Sequence, residues 1–274
     1  MSKVFSASSL IFIYLFCYTV TGAAQTDNSY YVKIDYLKAE GHQIGEYLEL
    51  EQELWKPIHE ERKQRGIIES WNLYSVVAGE PDISYNYIVV NVFDDFSKID
   101  YYGLNELIDD VHPDINRDEF MERTRSSREV VRTEIWQING LIMDTGQVTP
   151  GGNYLTINYF DARGGTGEHA EMELDFWGRI HEVRLDRNIL NSWGMYTLYY
   201  PAGDARHYTY STIDYYDDLS DLTEPVGMEL AGIAHPNLSE EELSDYFTRT
   251  GESRSLYKTE LWKVIDSVLP ANDE

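Results

Sequence analysis

The chain has 274 residues, 42% of them hydrophobic and 14% aromatic, with a formal net charge of −26 at pH 7. That length exceeds one ordinary domain and suits two of about 100–150 residues, each able to bury a core. The acidity argues against nucleic acid or an anionic membrane surface as a partner, because phosphate binding needs a basic footprint; it suits solubility, or a cationic or neutral partner.

The N-terminus reads as a signal peptide. Lys3 supplies a positive start, residues 10–20 are apolar, and Gly22-Ala23-Ala24 offers small residues at a cleavage site before Gln25. The run is too short for a comfortable membrane span. The single cysteine, Cys17, lies inside it behind Phe16, where a lipid-attachment signal would want a small residue. The expectation is an exported protein, periplasmic or extracellular, not inserted in a membrane after cleavage and without a disulfide.

Beyond residue 25 the pattern predicts a strand at 30–37, a helix at 43–64 and strands at 67–78 and 84–93, with Gly79-Glu80-Pro81-Asp82 as the turn between them. Helical stretches follow at 96–110 and 117–127, split by His112-Pro113, then a strand at 128–137. Residues 141–152, with Pro150-Gly151-Gly152, read as a linker. The same order then recurs at 153–160, 167–187, 189–200, 206–216, 218–231, 239–250 and 254–263, before a tail at 267–274. The boundaries are thus 1–24 for the signal, 25–140 for one domain and 153–266 for the next.

The recurrence extends to residue identity. At an offset of 122, residues 45–74 align with 167–196 without a gap, and 14 of the 30 pairs are identical, including Glu51/Glu173, Trp55/Trp177, His59/His181, Arg62/Arg184 and Trp71/Trp193. Downstream, "SREVVRTEIW" (127–136) answers "SRSLYKTELW" (253–262), so all six tryptophans fall into three pairs. This predicts a duplicated unit. Its order, βαββαβ, is the ferredoxin-like one, with helices on one face of an antiparallel sheet. The fold expected is α+β: two tandem ferredoxin-like domains.

A strand, a helix holding Trp-x-x-Ile-His (55–59) and then Gly-x-Ile-x-x-Trp-x-x-Tyr (66–74) resembles the dimeric α/β-barrel superfamily, in its NIPSNAP-type and antibiotic-biosynthesis-monooxygenase-like branches. The resemblance covers 30–139 and 153–266. It implies two units packed sheet to sheet as a barrel, here within one chain, so that a monomer suffices and further self-association stays open. Members of the superfamily include cofactor-free oxygenases, haem enzymes and small-molecule isomerases. The motifs indicate fold better than chemistry.

Strand alternation separates two faces. Arg128, Val130, Arg132, Glu134 and Trp136 share one face, matched by Arg254, Leu256, Lys258, Glu260 and Trp262. Tyr85, Tyr87, Val89 and Asn91 are expected on that same polar–aromatic face, which a paired barrel turns inward. It reads either as a ligand cavity or as a packed interface with internal ion pairs such as Arg132–Glu134. Trp71 and Tyr74 lie on opposite faces of their strand, as do Trp193 and Tyr196.

On the long helix, Ile44, Tyr47, Leu48, Leu54, Trp55 and Ile58 form an apolar stripe with Glu51 inside it. A carboxylate aimed at a core is costly unless partnered, and burial raises its pKa towards that of a general acid or base. Glu51 and His59 are therefore the candidate catalytic pair. Lys33, Asp35, Trp55, Asn72, Tyr74, Tyr87, Arg128 and Arg132 are candidate ligand contacts. The second-copy equivalents are Glu173, His181, Trp177, Tyr196, Arg254 and Lys258. The competing reading makes Glu51 a satisfied buried carboxylate and His59 an edge histidine. The copies differ at Lys33/Thr156, Asp35/Asn158, Tyr47/His169 and Asn72/Gly194, positions that would mark an active copy.

No phosphate loop, HExxH, cysteine metal site or GxSxG occurs, and His112-Pro113 and His235-Pro236 read as helix breaks. No metal or cofactor is expected; the resemblance alone leaves haem open. The functional expectation is a small-organic-ligand binder with its site in the barrel or between helix and sheet. The alternatives are a cofactor-independent oxygenase or isomerase, and a structural protein with a packed interior.

Overall fold

The computed structural model describes residues 29–101, 103–143, 150–162, 166–203 and 206–269. The expected signal peptide, and residues 144–149 and 270–274 of the expected linker and tail, lie outside them.

Eight strands form: β1 (Tyr31–Lys38), β2 (Ser70–Ala78), β3 (Tyr87–Phe93), β4 (Glu129–Met143), β5 (Tyr154–Ala162), β6 (Ser192–Tyr200), β7 (Tyr210–Tyr216) and β8 (Arg254–Val268). Six helices accompany them: α1 (44–64), α2 (Leu104–Val111), α3 (Arg117–Ser127), α4 (166–186), α5 (Met228–Ala234) and α6 (Glu240–Ser253). The strands close into one barrel in the order β1-β3-β2-β8-β5-β7-β6-β4, and every neighbouring pair is antiparallel. The result is an α+β fold built on one closed eight-stranded antiparallel barrel, with strand order β4-β1-β3-β2 in the first half and β8-β5-β7-β6 in the second.

Closure comes from hydrogen-bonded edges, not from two sheets laid face to face. β4 and β8 are each 15 residues long, longer than expected. β4 pairs with β1 over Glu129–Gln137 and with β6 over Ile135–Met143; β8 pairs likewise with β5 and then β2. Each long strand thus covers an edge of the other half, and among the described residues the ring of strands closes without a free edge. This corrects the expected linker, since Leu141–Met143 are strand, opposite Gly194, Trp193 and Ser192. Gly140 sits beside a register shift in β4, where a side chain would collide with Leu174.

The barrel interior holds Val32, Ile34, Tyr36, Tyr74, Ile88, Val90, Trp136 and their second-half counterparts, among them Leu155, Tyr159, Tyr196, Ile213 and Trp262. Outside, α1 covers Trp71, Leu73, Tyr87, Val89 and Phe93, and α4 to α6 cover the second half. Trp71 and Trp193 lie under helices while Tyr74 and Tyr196 point into the barrel. For β3 the expected faces are reversed. Ile88 and Val90 point inward; Tyr87, Val89 and Asn91 point to the helices, and only Tyr85 keeps the inward position. The strand starts at Tyr87 because the Asn86 side chain binds both the N–H and the carbonyl of Ala39, at 2.9 Å each, which breaks the alternation between Tyr85 and Tyr87.

A bulge corrects the last strand too. Tyr36 pairs with Arg132 but Leu37 with Val130, so Val131 is the extra residue; in β8 it is Tyr257. A bulge reverses the facing of everything beyond it. Arg132 and Lys258 therefore point into the barrel while Arg128 and Arg254 point outward, to α1 and α4.

Both long helices carry a π turn, Leu50–Trp55 in α1 and Met172–Trp177 in α4. The widened turn brings Leu50, Glu51 and Trp55 together onto the buried side. α1 and α4 both end on a left-handed residue that tolerates it, Gly66 (φ 65°) and Asn188 (φ 55°). His112 and His235 stand at the helix breaks, where each Nε2 donates to a π-turn carbonyl, of Leu54 at 2.9 Å and of Phe176 at 3.0 Å. No helix among the described residues is long and apolar enough to cross a membrane.

Candidate functional site

Between α1 and the outer face of β1, β3 and the start of β4 lies a cavity of about 140 Å³. β1 contributes Lys33 and Asp35, the π turn Glu51 and Trp55, the rest of α1 His59 and Arg62, β3 Val89, Asn91 and Phe93, and the residue just before β4 is Arg128. Glu51 is buried, and its carboxylate meets Arg128 at 3.0 Å. Burial, only partly opposed by Arg128, pushes the Glu51 carboxyl up to about 7. Lys33 pairs with Asp35 at 3.0 Å.

Arg62 is held differently. Its Nη1 donates to His59 Nδ1 at 2.9 Å and to the Asn91 amide oxygen at 3.0 Å. Both acceptors are neutral, and among the described residues no carboxylate reaches it. Burial lowers the guanidinium to about 10, against a weaker upward pull from Asp35 and Tyr101. His59, stacked on Trp71 with ring centres 4.8 Å apart, is kept neutral by burial and by the adjacent Arg62. Since Nδ1 accepts from Arg62, its proton is on Nε2.

In the second half the matching positions are charged differently. Arg184 Nη1 donates to Asp214 at 2.6 Å and Nη2 to the Tyr216 hydroxyl at 3.1 Å. These partners replace Asn91 and Phe93. Burial alone would lower Arg184, but Asp214 and Tyr216 raise it. Glu173 is gripped by Arg254 and lies 3.5 Å from His169, which replaces Tyr47.

The barrel interior holds a second polar cluster. Glu134 accepts from Tyr36 at 2.9 Å, from Trp136 Nε1 at 3.1 Å and from Tyr208 of the other half, with Arg132 Nε at 3.4 Å. Glu260 accepts in the same way from Trp262 Nε1 at 2.8 Å, from Lys258 and from Tyr85, again across the halves. Tyr36 and Tyr159 meet at 3.0 Å, and Arg132 and Lys258 lie over their rings, at 3.9 and 4.4 Å. Burial first, and next Glu134 for Tyr36 and the neighbouring Tyr36 for Tyr159, hold these tyrosines well above the ordinary phenol range, so they remain donors. Two cations answer two carboxylates. The network opens at one end to a cavity of about 230 Å³ at the barrel mouth, rimmed by Glu80, Asp82, Arg206 and His207.

Of the sequence candidates, Lys33, Asp35, Glu51, Trp55, His59 and Arg128 meet in the helix–sheet cavity. Arg132 and Lys258 belong to the barrel network instead. Tyr74 and Tyr196 are interior packing, Tyr74 against Trp262 at 5.7 Å. Tyr87 lies under α1 against Tyr47 at 4.9 Å and does not line the cavity. Trp177 donates to Thr250 at 3.0 Å, and His181 stacks on Trp193 at 4.8 Å. Asn72 faces the interior opposite Val90, away from both cavities. The Asn72/Gly194 difference is one of packing: a Cβ at Gly194 would lie 2.7 Å from the Tyr196 ring and 3.0 Å from Leu141. Gly194→Asn is therefore expected to cost about 1–3 kcal/mol by overpacking, measured as a lower urea midpoint; unchanged stability would disprove it.

Sequence reasoning did not select Arg62, Asn91, Tyr36, Tyr159, Glu134 or Glu260 as site residues. The repeated Thr-Glu-x-Trp of "RTEIW" and "KTELW", with Glu and Trp two apart on one face, was the available signal for the barrel pair. Among the described residues no group of three or more His, Cys, Asp or Glu side chains is gathered to hold a metal ion.

No family model and no curated protein matches the chain. Solved structures that resemble it include a candidate monooxygenase from Fusobacterium nucleatum, at 12% identity and a TM-score of 0.49, over 89% of this chain and 95% of that one. Another is a candidate monooxygenase from Lactobacillus acidophilus, at 10% identity and 0.48, over 88% and 96%. A chlorite dismutase from Candidatus Nitrospira defluvii, in complex with cyanide, matches at 8% and 0.46, over 88% and 92%. Likeness at this level carries none of these activities to the present chain.

Proposed function

We propose that the protein binds a small polar organic molecule in the cavity between α1 and the first half of the barrel. The observation that carries this reading is the contrast between matching positions. Arg184, Asp214 and Tyr216 satisfy one another, whereas Arg62 faces the neutral Asn91 and the hydroxyl-free Phe93 beside a cavity. The barrel interior has paired charges and supports a structural role for that region.

A second reading, a cofactor-independent isomerase- or oxygenase-type enzyme, is favoured by Glu51. A carboxyl near 7 takes and releases protons at neutral pH, as a general acid–base must. Haem does not suit the cavity: about 140 Å³ is too small for a tetrapyrrole, and His59 is engaged by Arg62 and stacked on Trp71. The proposal further takes the chain to be a tandem duplication of a ferredoxin-like unit, exported and able to act as a monomer. In its favour stand the aligned halves, the apolar N-terminus and a barrel that one chain closes by itself.

The test is a fragment screen read by the Trp55 indole resonance, assigned with Trp55→Phe. Fragments that shift Trp55 in the parent are expected to lose this effect in Asn91→Asp/Phe93→Tyr, which copies the second half and should fold at least as stably. A library that never moves Trp55, or moves it equally in the double variant, would remove this cavity as the site.

A further inference from the structure

We infer that the molecule taken by the helix–sheet cavity is a small organic carboxylate, with its anionic head on Arg62 and a short, polar body beside Trp55 and Phe93. The inference rests on the proposed binding role of this cavity and specifies its ligand class.

Charge balance makes the case. Three cations line the cavity, Lys33, Arg62 and Arg128, against two carboxylates, Asp35 and Glu51. Lys33 pairs off with Asp35 and Arg128 with Glu51, at 3.0 Å each. Arg62 remains, with Nη1 divided between a neutral imidazole and a neutral amide. Asp35 acts on Arg62 only from beyond ion-pair distance and is itself held by Lys33, so among the described residues no carboxylate touches this guanidinium, and a carboxylate is the partner that its planar fork fits best. The second half shows the position completed. Its cations Arg184 and Arg254 face two carboxylates, Asp214 and Glu173, and Arg184 takes Asp214 at 2.6 Å. Asn91 against Asp214 is a difference of one carboxylate in a near-isosteric side chain. The first half thus lacks the one anionic group that its twin carries in the chain itself.

The surroundings narrow the ligand further. The net charge of −26 repels anions at long range, so affinity must arise locally, and polyanions are disfavoured. The cavity of about 140 Å³ limits the ligand to a short body, and its mainly polar lining, with Lys33, Asp35, Glu51 and Asn91 beside Trp55 and Phe93, suits a short chain that carries a hydroxyl or similar polar group.

The experiment titrates the full chain with acetate, glycolate and lactate, and in parallel with their primary amides, following the Trp55 indole resonance. Carboxylates are expected to bind at least ten-fold more tightly than the matching amides. Asn91→Asp, which places a competing carboxylate on Arg62, is expected to weaken carboxylate binding ten-fold or more without lowering the thermal midpoint. Arg62→Gln should weaken it similarly if it folds. Amides that bind as well as carboxylates, or carboxylates unaffected by Asn91→Asp, would overturn the inference and leave the cavity as the site. No Trp55 shift with any probe would overturn both.

Discussion

Glu134→Ala is expected to lower the thermal midpoint by about 10 °C, a loss on the order of 3–5 kcal/mol. Glu134 is 3% exposed and gathers the Tyr36, Tyr208 and Trp136 donors beside Arg132. Truncation leaves the half-buried Arg132 guanidinium without its nearest carboxylate and the Tyr208 and Trp136 donors without an acceptor, while Tyr36 keeps Tyr159. That is worse than never having placed a charge there, because desolvation has already been spent and nothing offsets it. Glu134→Gln keeps an acceptor oxygen and loses only the charge, so its loss should be smaller. Glu260→Ala should behave like Glu134→Ala, since it strands Lys258, Tyr85 and Trp262. Urea unfolding at pH 7 measures all three. An alanine variant within about 0.5 kcal/mol of the parent, the range of ordinary surface changes, would show that the network does not hold the barrel together.

Replacing Glu51 with Gln should remove a pH dependence of about 3 kcal/mol. The carboxyl moves from an ordinary 4.5 to about 7 in the folded chain, chiefly by burial, and each unit is worth about 1.4 kcal/mol. Between these values the folded state holds the proton and the unfolded state has released it. Stability therefore falls as pH rises through the window from about 4.5 to about 7. The other charged groups lining the cavity, Lys33, Asp35, Arg62 and Arg128, are present in both proteins, so their contributions largely cancel in the difference. The stability of the parent minus that of Glu51→Gln, measured at intervals from pH 4.5 to 7.5, should decline by about that 3 kcal/mol. A flat or rising difference would mean that Arg128 holds Glu51 ionised throughout, and would end its candidacy as a proton carrier near neutrality.

The readings that came through from sequence are local ones. The element order, the opposite facing of Trp71 and Tyr74, and the placing of Glu51 in the buried stripe follow from periods of 2 and 3.6 and from the need to hide apolar side chains. The shared facing of Arg132 and Glu134 was legible as well, since two residues apart in a strand share a face.

Other features depended on partners distant in sequence. Arg128 and Arg132 lie on opposite sides of the barrel wall because Val131 bulges against β1, and a bulge is set by the register of the neighbouring strand. Asn91 faces the helices because Asn86 binds Ala39 and resets the strand. Glu134 is completed by Tyr208 and Glu260 by Tyr85, each from the other half, which only ring closure brings near. The sequence by itself therefore determined the elements, their order and the α+β class, because these depend on neighbours a few residues away. The tertiary structure alone decided that Arg62 faces an amide where Arg184 faces a carboxylate, because which residues share a space is settled by strand register and barrel closure, not by spacing along the chain.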